Sequence, residues 1–326
     1  MSHDRKTEEK ERAILEARHV TKEYPAPGGR TLKACDDISL SVVRGKTLGI
    51  VGESGCGKST FVKMLVRMEE PTAGEILYEG KDIAKLKGEA LRQSRRHIQM
   101  VFQDPMASFS PKMKTIDILT EPLLNFKKIK RSEKEEKAKE LLRMVELPDE
   151  LLCRYPHSMS GGQRQRVGIA RALALDPEVL VCDEATSALD VSVQEKIVEL
   201  LVKLQRERGI SMVFICHDVA LVQSLSHTVA VMYLGNVVEI LPGSKLKSEA
   251  LHPYTKALLG SVFSTHMDFS KKIESIDSEP PSPVDIPAGC PFQNRCGRCM
   301  EICRREKPLL RQIRPGHQTA CHLYRP

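Results

Sequence analysis

The stretch GESGCGKST, from Gly52 to Thr60, restricts the possible fold more than any other part of the chain. Its G-x-x-x-x-G-K-S spacing follows a short apolar run, TLGIVG, and precedes the helical pattern KSTFVKML. That strand–loop–helix setting is the one a phosphate-binding loop needs. Gly52, Gly55 and Gly57 allow the backbone to turn its N–H groups inward onto phosphate oxygens. A helix beginning near Lys58 adds its positive dipole to the same anion. Lys58 is expected to reach the β- and γ-phosphates, and the Ser59 hydroxyl to coordinate Mg²⁺. Glu53, Ser54, Cys56 and Thr60 complete the loop, with Cys56 read as a tolerated small residue.

A second apolar run, EVLVCDE, ends in Asp183 and Glu184. Two carboxylates closing a buried strand are costly unless a cation or ligand offsets them. Asp183 is placed to hold Mg²⁺, and Glu184 to polarise an attacking water as general base. The helical pattern VSVQEKIVELLVKLQRER follows, stopped by Gly209, and then the strand SMVFIC. Strands alternating with helices in this way predict a mainly parallel α/β core. Before it, short β-like runs dominate from Ile14 to Gly80, and helical periodicity prevails from Pro105 to Leu175.

The chain has 326 residues, enough for one large or two ordinary domains. No apolar run approaches the roughly 18 residues that span a bilayer, so any membrane role is expected to be peripheral. The opening MSHDRKTEEKER lacks the apolar segment of a secretory signal. A net charge of +7 is a mild excess and gives no nucleic-acid footprint. The densest charged stretch, Lys127 to Glu140, mixes both signs at helical spacing and reads as a solvated helix face. Residues 1–14 read as a disordered polar tail, and 264–287, rich in Ser and Pro, as a linker. Of ten cysteines, five lie at 290, 296, 299, 303 and 321, while the other five stand singly, as core residues do.

SMSGGQRQR, from Ser158 to Arg166, resembles the signature motif of ATP-binding cassette (ABC) ATPases. It stands in the family's order with FQDP around Gln103, the phosphate loop, CDEATSALD, and His217 in FICHD. The resemblance implies a RecA-like P-loop core with an antiparallel β subdomain and a helical signature subdomain at about 104–170, within a nucleotide-binding domain over 15–263. It also implies a head-to-tail dimer with ATP between one P-loop and the partner's signature. By the same resemblance, Tyr24 stacks on adenine, and Gln103 senses Mg²⁺ and water. Ser160, Gly161, Gly162 and Gln163 cap the opposite ATP, Asp190 ends the D-loop, and His217 contacts the γ-phosphate. Catalysis would then fall to Glu184, His217 and Gln103. One departure is Ala185, where the family usually has Pro; it leaves the backbone after the base less restricted.

QMVFQDPMASFSPKM, RYPHSMSGGQRQRVGIARALALDP, VMYLGNVVE and LHPYTKALL resemble the oligopeptide/dipeptide permease ATPases, specifically the F-type subunit. The resemblance covers most of residues 16–326. It implies an ATPase that powers peptide import from the cytoplasmic face of the cell membrane. Its partners would be a D-type paralogue in a heterodimer, two transmembrane permease subunits and, indirectly, an extracytoplasmic solute-binding protein; nucleic acid would not be among them. Alternatives are an importer of nickel chelates or another small solute, and a cassette ATPase acting on nucleic acid or the ribosome. The subfamily also carries a C-terminal cysteine motif over 288–326, matched here by CPFQNRC, EIC and HQTAC. It implies a small metal-stapled extension in which Cys290, Cys296, Cys303 and Cys321 hold a [4Fe–4S] cluster, with Zn²⁺ as the alternative for four thiolates. Cys299 is extra to the motif, and His317 and His322 read as supporting or surface groups.

Overall fold

The computed structural model describes residues 12–187, 189–260, 281–284 and 286–324. The expected polar tail, up to residue 11, lies outside these residues, as does the expected linker over 264–280 and at Asp285.

The chain starts with β1 (Ala13–Ala26) and β2 (Arg30–Val43), turns at Gly45 and enters β3 (Thr47–Val51). Helix α1 (Lys58–Leu65), strands β4 (Ala73–Tyr78) and β5 (Lys81–Asp82), helix α2 (Gly88–His97) and strand β6 (Ile98–Val101) follow. Three helices come next, α3 (Thr115–Asn125), α4 (Lys134–Met144) and α5 (Gly161–Leu173). Strand β7 (Val179–Asp183), helix α6 (Val191–Arg208) and strand β8 (Ser211–Ile215) occupy the positions that periodicity predicts. Helix α7 (Val219–Leu225), strands β9 (Thr228–Tyr233) and β10 (Asn236–Pro242) and helices α8 (Leu246–Glu249) and α9 (Pro253–Gly260) complete the stretch before the expected linker. Beyond it lie α10 (Glu301–Arg305), β11 (Arg311–Arg314) and β12 (His317–Thr319).

These elements divide into two compact units. Of the described residues, one comprises 12–14, 43–46, 85–187 and 189–214. In it β6 and β7 pair in parallel, Ile98 opposite Val179 and Val101 opposite Cys182, with β8 on the other side of β7. Every residue of β7 is buried, as expected of an apolar run covered on both faces. Helices α3, α4 and α5 pack on one another, and Leu119 and Leu123, Leu141 and Leu142, and Val167 and Ile169 are among their buried side chains. The charged face of α4 carries the pairs Lys139–Glu135 at 2.6 Å and Lys137–Glu140 at 2.7 Å, the solvated face the sequence suggests.

The other unit holds, of the described residues, 15–42, 47–84, 215–260, 281–284 and 286–324. It contains an antiparallel sheet in the order β2-β1-β4-β5 and a mixed run β11-β12-β10-β9-β3, in which β3 and β9 are parallel. A Cβ at Gly49 would lie 2.4 Å from Val222 and Ser226, so glycine is what lets α7 settle against β3. The C-terminal extension is joined by strand pairing: β12 adds antiparallel to β10 and β11 to β12. Four of the five scattered cysteines, Cys35, Cys56, Cys182 and Cys216, are buried as core residues. Cys153 departs from that expectation; it ends a surface 3₁₀ turn, Asp149–Cys153, and is exposed. His317, expected as a supporting or surface group, is 2% exposed, with its Nε2 2.8 Å from Glu239 Oε1.

Glu239, fully buried on β10, also accepts from the N–H groups of Leu251 at 2.7 Å and His252 at 3.1 Å. One carboxylate thereby ties β12 and the start of α9 to β10. Glu239→Ala takes the carboxylate away from His317, His252 and the half-buried Leu251 and is expected to destabilise this unit by about 3 kcal/mol or more. The loss is read as a lower urea midpoint at unchanged m-value.

Candidate functional site

The loop between β3 and α1 is shaped by backbone crowding at two of its three glycines. A Cβ at Gly52 would stand 2.2 Å from Met232 O, and one at Gly57 only 2.1 Å from Ala34 O. Gly57 also has φ +102°, a left-handed conformation that side chains resist. Gly55 differs from both: it is exposed, and no atom lies within 4 Å of the place its Cβ would take. Its φ of +76° is the only demand for glycine there, so it serves the bend of the loop and not a close approach. Ser54 beside it is exposed too, while Ser59 and Thr60 are half-buried on the first turn of α1. Ala34 and Met232 belong to β2 and β9, so neighbouring strands fix the loop from outside.

Lys58 is 4% exposed; its Nζ donates to Gly52 O at 2.7 Å and Glu53 O at 2.9 Å. The ammonium is thus folded over its own loop, held by carbonyls that incoming phosphate oxygens can replace. Cys56 is buried with Sγ 3.7 Å from Lys58 Nζ, which makes it part of the loop's packing. Tyr24 is half-buried, its hydroxyl bonded to Glu69 and its ring 5.0 Å from Lys22 Nζ. Burial and the Glu69 carboxylate push its phenol up to about 12, and Thr60 of the loop also hydrogen-bonds it. His217 lies in this same unit, exposed just before α7, whose N-terminus Asp218 caps.

Gln103, Asp183, Glu184, Asp190 and the Ser160–Gln163 segment fall in the other unit. Asp183 closes β7 and is 8% exposed. Glu184, half-buried, takes φ +48°. A residue ahead of proline is driven to extended backbone, so buried Ala185 suits this turn where proline would oppose it. Ser187 joins two candidates: its Oγ donates to Glu184 O at 3.0 Å and accepts from Gln103 Nε2 at 3.1 Å. Asp190 precedes α6, and its carbonyl accepts from Val193 and Gln194 N–H.

Ser160 caps α5. Its Oγ accepts from Gln163 N–H at 3.3 Å while Gln163 Oε1 accepts from Ser160 N–H at 3.0 Å, a reciprocal capping box. The S-x-x-Q spacing carries that signal in the sequence. Ser160 and Gly161 are exposed, and a groove lined by Ser160, Gly161, Gly162, Leu189, Asp190 and Val193 runs beside them. A Cβ at Gly162 would lie 2.7 Å from Val193 Cγ1, so a larger residue there would have to displace that side chain.

Cys290, Cys296, Cys303 and Cys321 line one small cavity together with His252 and Phe292. Cys299 is not among its walls; its Sγ contacts Met300 O at 3.6 Å. Burial, aided by the neighbouring thiols, pushes Cys290 up to about 12 and Cys321 up to about 11. Among the described residues, no three or more His, Cys, Asp or Glu side chains are grouped so as to hold a metal ion. His322 also borders the cavity and is 2.8 Å from Glu306 O through Nε2.

Sequence reasoning missed Tyr254, Phe292 and Arg295. Tyr254 Oη accepts from the Glu53 N–H at 2.8 Å, and Phe292 packs against Tyr233, Tyr254 and His252 at centroid distances of 5.2, 5.4 and 5.9 Å. Phe292 and Arg295 both lie within CPFQNRC, but only the fold brings them beside the phosphate loop.

Residues 35–187 match the family model described as ABC transporter, and residues 238–303 the one described as oligopeptide/dipeptide transporter, C-terminal region. The chain is 46% identical to a probable peptide ABC transporter ATP-binding protein, y4tS, of Sinorhizobium fredii, over 96% of this chain and 91% of the relative. It is also 46% identical to the oligopeptide transport ATP-binding protein AppF of Bacillus subtilis, over 95% and 97%. Among solved structures, the ATP-binding cassette MJ0796, a dimer in a post-hydrolysis state bound to ADP and Pi, superposes with a TM-score of 0.65 at 32% identity, covering 70% of this chain and 98% of that one.

Gly57→Ala is expected to weaken binding of Mg-ATP at least about 100-fold, because the new Cβ meets backbone and the residue stays strained. The far-UV circular dichroism should be retained, so an equilibrium nucleotide titration on folded protein checks it.

Proposed function

The chain belongs to the ABC transporter family, among the ATP-binding proteins of oligopeptide/dipeptide transporters, and on that footing we propose that it hydrolyses ATP to power peptide import. Identity over nearly the whole length with peptide-transport ATP-binding proteins carries this conclusion. No helix among the described residues is long and apolar enough to cross a membrane. The proposed translocation path lies in permease subunits, on which this chain would dock from the cytoplasmic side. The D-type paralogue is the proposed partner in the ATPase pair. The docking surface we assign to the permease is the turn after Gln103, where Asp104 caps Met106 N–H at 2.9 Å and Arg171 Nη1 holds Ser108 O at 2.8 Å.

In the proposed mechanism the triphosphate enters the P-loop, and Lys58 exchanges its loop carbonyls for β- and γ-phosphate oxygens. Ser59, Gln103 and Asp183 would hold Mg²⁺, which supplies neutralising charge when bound. Glu184 takes a proton from the attacking water. Ser187, bonded to both Gln103 and the Glu184 carbonyl, keeps those two groups in register. His217 approaches the γ-phosphate, Tyr24 offers its ring to adenine, and Ser160–Gln163 of the partner closes over the phosphate, with Asp190 at the seam. Glu184→Gln is expected to lower ATP turnover about 100-fold or more and to trap an ATP-bound pair, visible as an ATP-dependent shift on size exclusion.

We assign the four cysteines lining one cavity to a [4Fe–4S] cluster. What supports it is the one cavity that Cys290, Cys296, Cys303 and Cys321 line together, and four thiolates are the usual complement of such a cluster. The domain boundaries in this proposal are 15–263 for the cassette and 288–326 for the cysteine module. Protein purified without air should show broad visible absorption and iron, both lost in Cys290→Ser; zinc in place of iron overturns the assignment.

A further inference from the structure

Glu53 is an anion built into a loop that must accept a more highly charged anion. Lys58 cannot serve as its lasting countercharge, since the phosphates claim that ammonium. The structure supplies another cation from 242 residues away in sequence. Arg295 Nη1 donates to Glu53 Oε2 at 2.7 Å and Nη2 to Glu53 Oε1 at 2.9 Å, a two-pronged pair. Nη1 also reaches Tyr233 Oη at 3.4 Å, and the guanidinium lies 5.8 Å from that ring's centroid. The Arg295 side chain is only 5% exposed, and its buried Nε has no protein partner. The guanidinium is therefore committed to Glu53 and Tyr233. Residue 53 is gripped a second time, through its N–H on Tyr254, and Phe292 of the cysteine module packs against Tyr254. Arg295 adjoins Cys296, so one short loop carries a cavity thiol, the countercharge and, three residues earlier, the aromatic brace.

We propose that Arg295 is a positioning residue for ATP binding: the C-terminal cysteine module supplies the charge that neutralises Glu53, and the P-loop accepts triphosphate at full affinity only with that module in place. The inference rests on the P-loop binding ATP. By linkage, nucleotide and module stabilise one another. Taking a separation on the order of 10 Å between an uncompensated carboxylate and a bound phosphate, the effective dielectric of a protein surface gives a weakening of about 10-fold.

The test uses the full chain, titrated with the non-hydrolysable analogue AMP-PNP and Mg²⁺, alongside steady-state ATPase assays. Failure of the wild type to bind would count against the P-loop reading, separately from this inference. Arg295→Gln is expected to raise Kd and KM about 10-fold with kcat within about twofold. The double variant Glu53→Gln/Arg295→Gln is expected to recover to within about threefold of wild type, because both charges are gone. A merely structural brace predicts no such recovery. Unchanged affinity in Arg295→Gln, or a double variant as weak as the single, overturns the proposal. Should Arg295→Gln not fold, Arg295→Met and Arg295→Met/Glu53→Gln carry the same comparison: weaker binding in the first, restored in the second, supports it. Wild-type affinity in Arg295→Met, or no recovery in its double, overturns it.

Discussion

The governing constraint is steric and sits in the backbone of the phosphate loop. Inward-facing N–H groups need a chain bent so tightly that Gly57 and Gly52 leave no room for a Cβ against Ala34 and Met232. The loop's shape is therefore inherited from β2 and β9, which hold those carbonyls in place. The Cys56 carbonyl accepting from Gly235 N–H at 2.9 Å, and the Gly235 carbonyl accepting from Asp36 N–H at 2.8 Å, extend the same clamp. A loop held by neighbouring strands in this way is the kind of framework electrostatic catalysis needs, since donors fixed in place require little reorganisation when a charge arrives.

The parts of the fold that the sequence announced are those whose signals are local. The apolar runs of β3 and β7 and the Gly209 stop of α6 all lie where the periodicity predicts. The candidate loop at Gly52–Thr60, the carboxylates ending β7 and the capped segment at Ser160 were legible for the same reason. What the loop's spacing could not separate is why each glycine stands there: Gly55 answers to its own φ, whereas Gly52 and Gly57 answer to strands remote in sequence. The C-terminal extension was read less well. Its sequence suggested a small tail dependent on thiols, whereas β12 pairs with β10 and His317 meets Glu239 inside that junction. Strand addition across some 80 residues leaves no trace in local periodicity, since its hydrogen bonds join backbone that any side chain could carry. Arg295 was invisible as a partner of Glu53 for a similar reason: a charge pair distant in sequence follows from the fold alone.

The signature helix shows how a motif can satisfy itself and still leave work for a second chain. Ser160 and Gln163 use each other, which settles the Ser160 and Gln163 N–H groups without outside help. The N–H groups of Gly161 and Gly162 remain at the mouth of a 13-residue helix, and Gly161 is exposed. A helix start holds positive charge over its first turn, so these two groups are suited to an anion that arrives from outside the chain. Residues larger than glycine would close that mouth, because Leu189 and Val193 already crowd it at 3.2 and 2.7 Å. Under the proposed pairing, the phosphate held by one P-loop would complete the partner's helix terminus. Hydrolysis and phosphate release would then remove the anion that both chains share, and the same electrostatics that closed the pair would allow it to open.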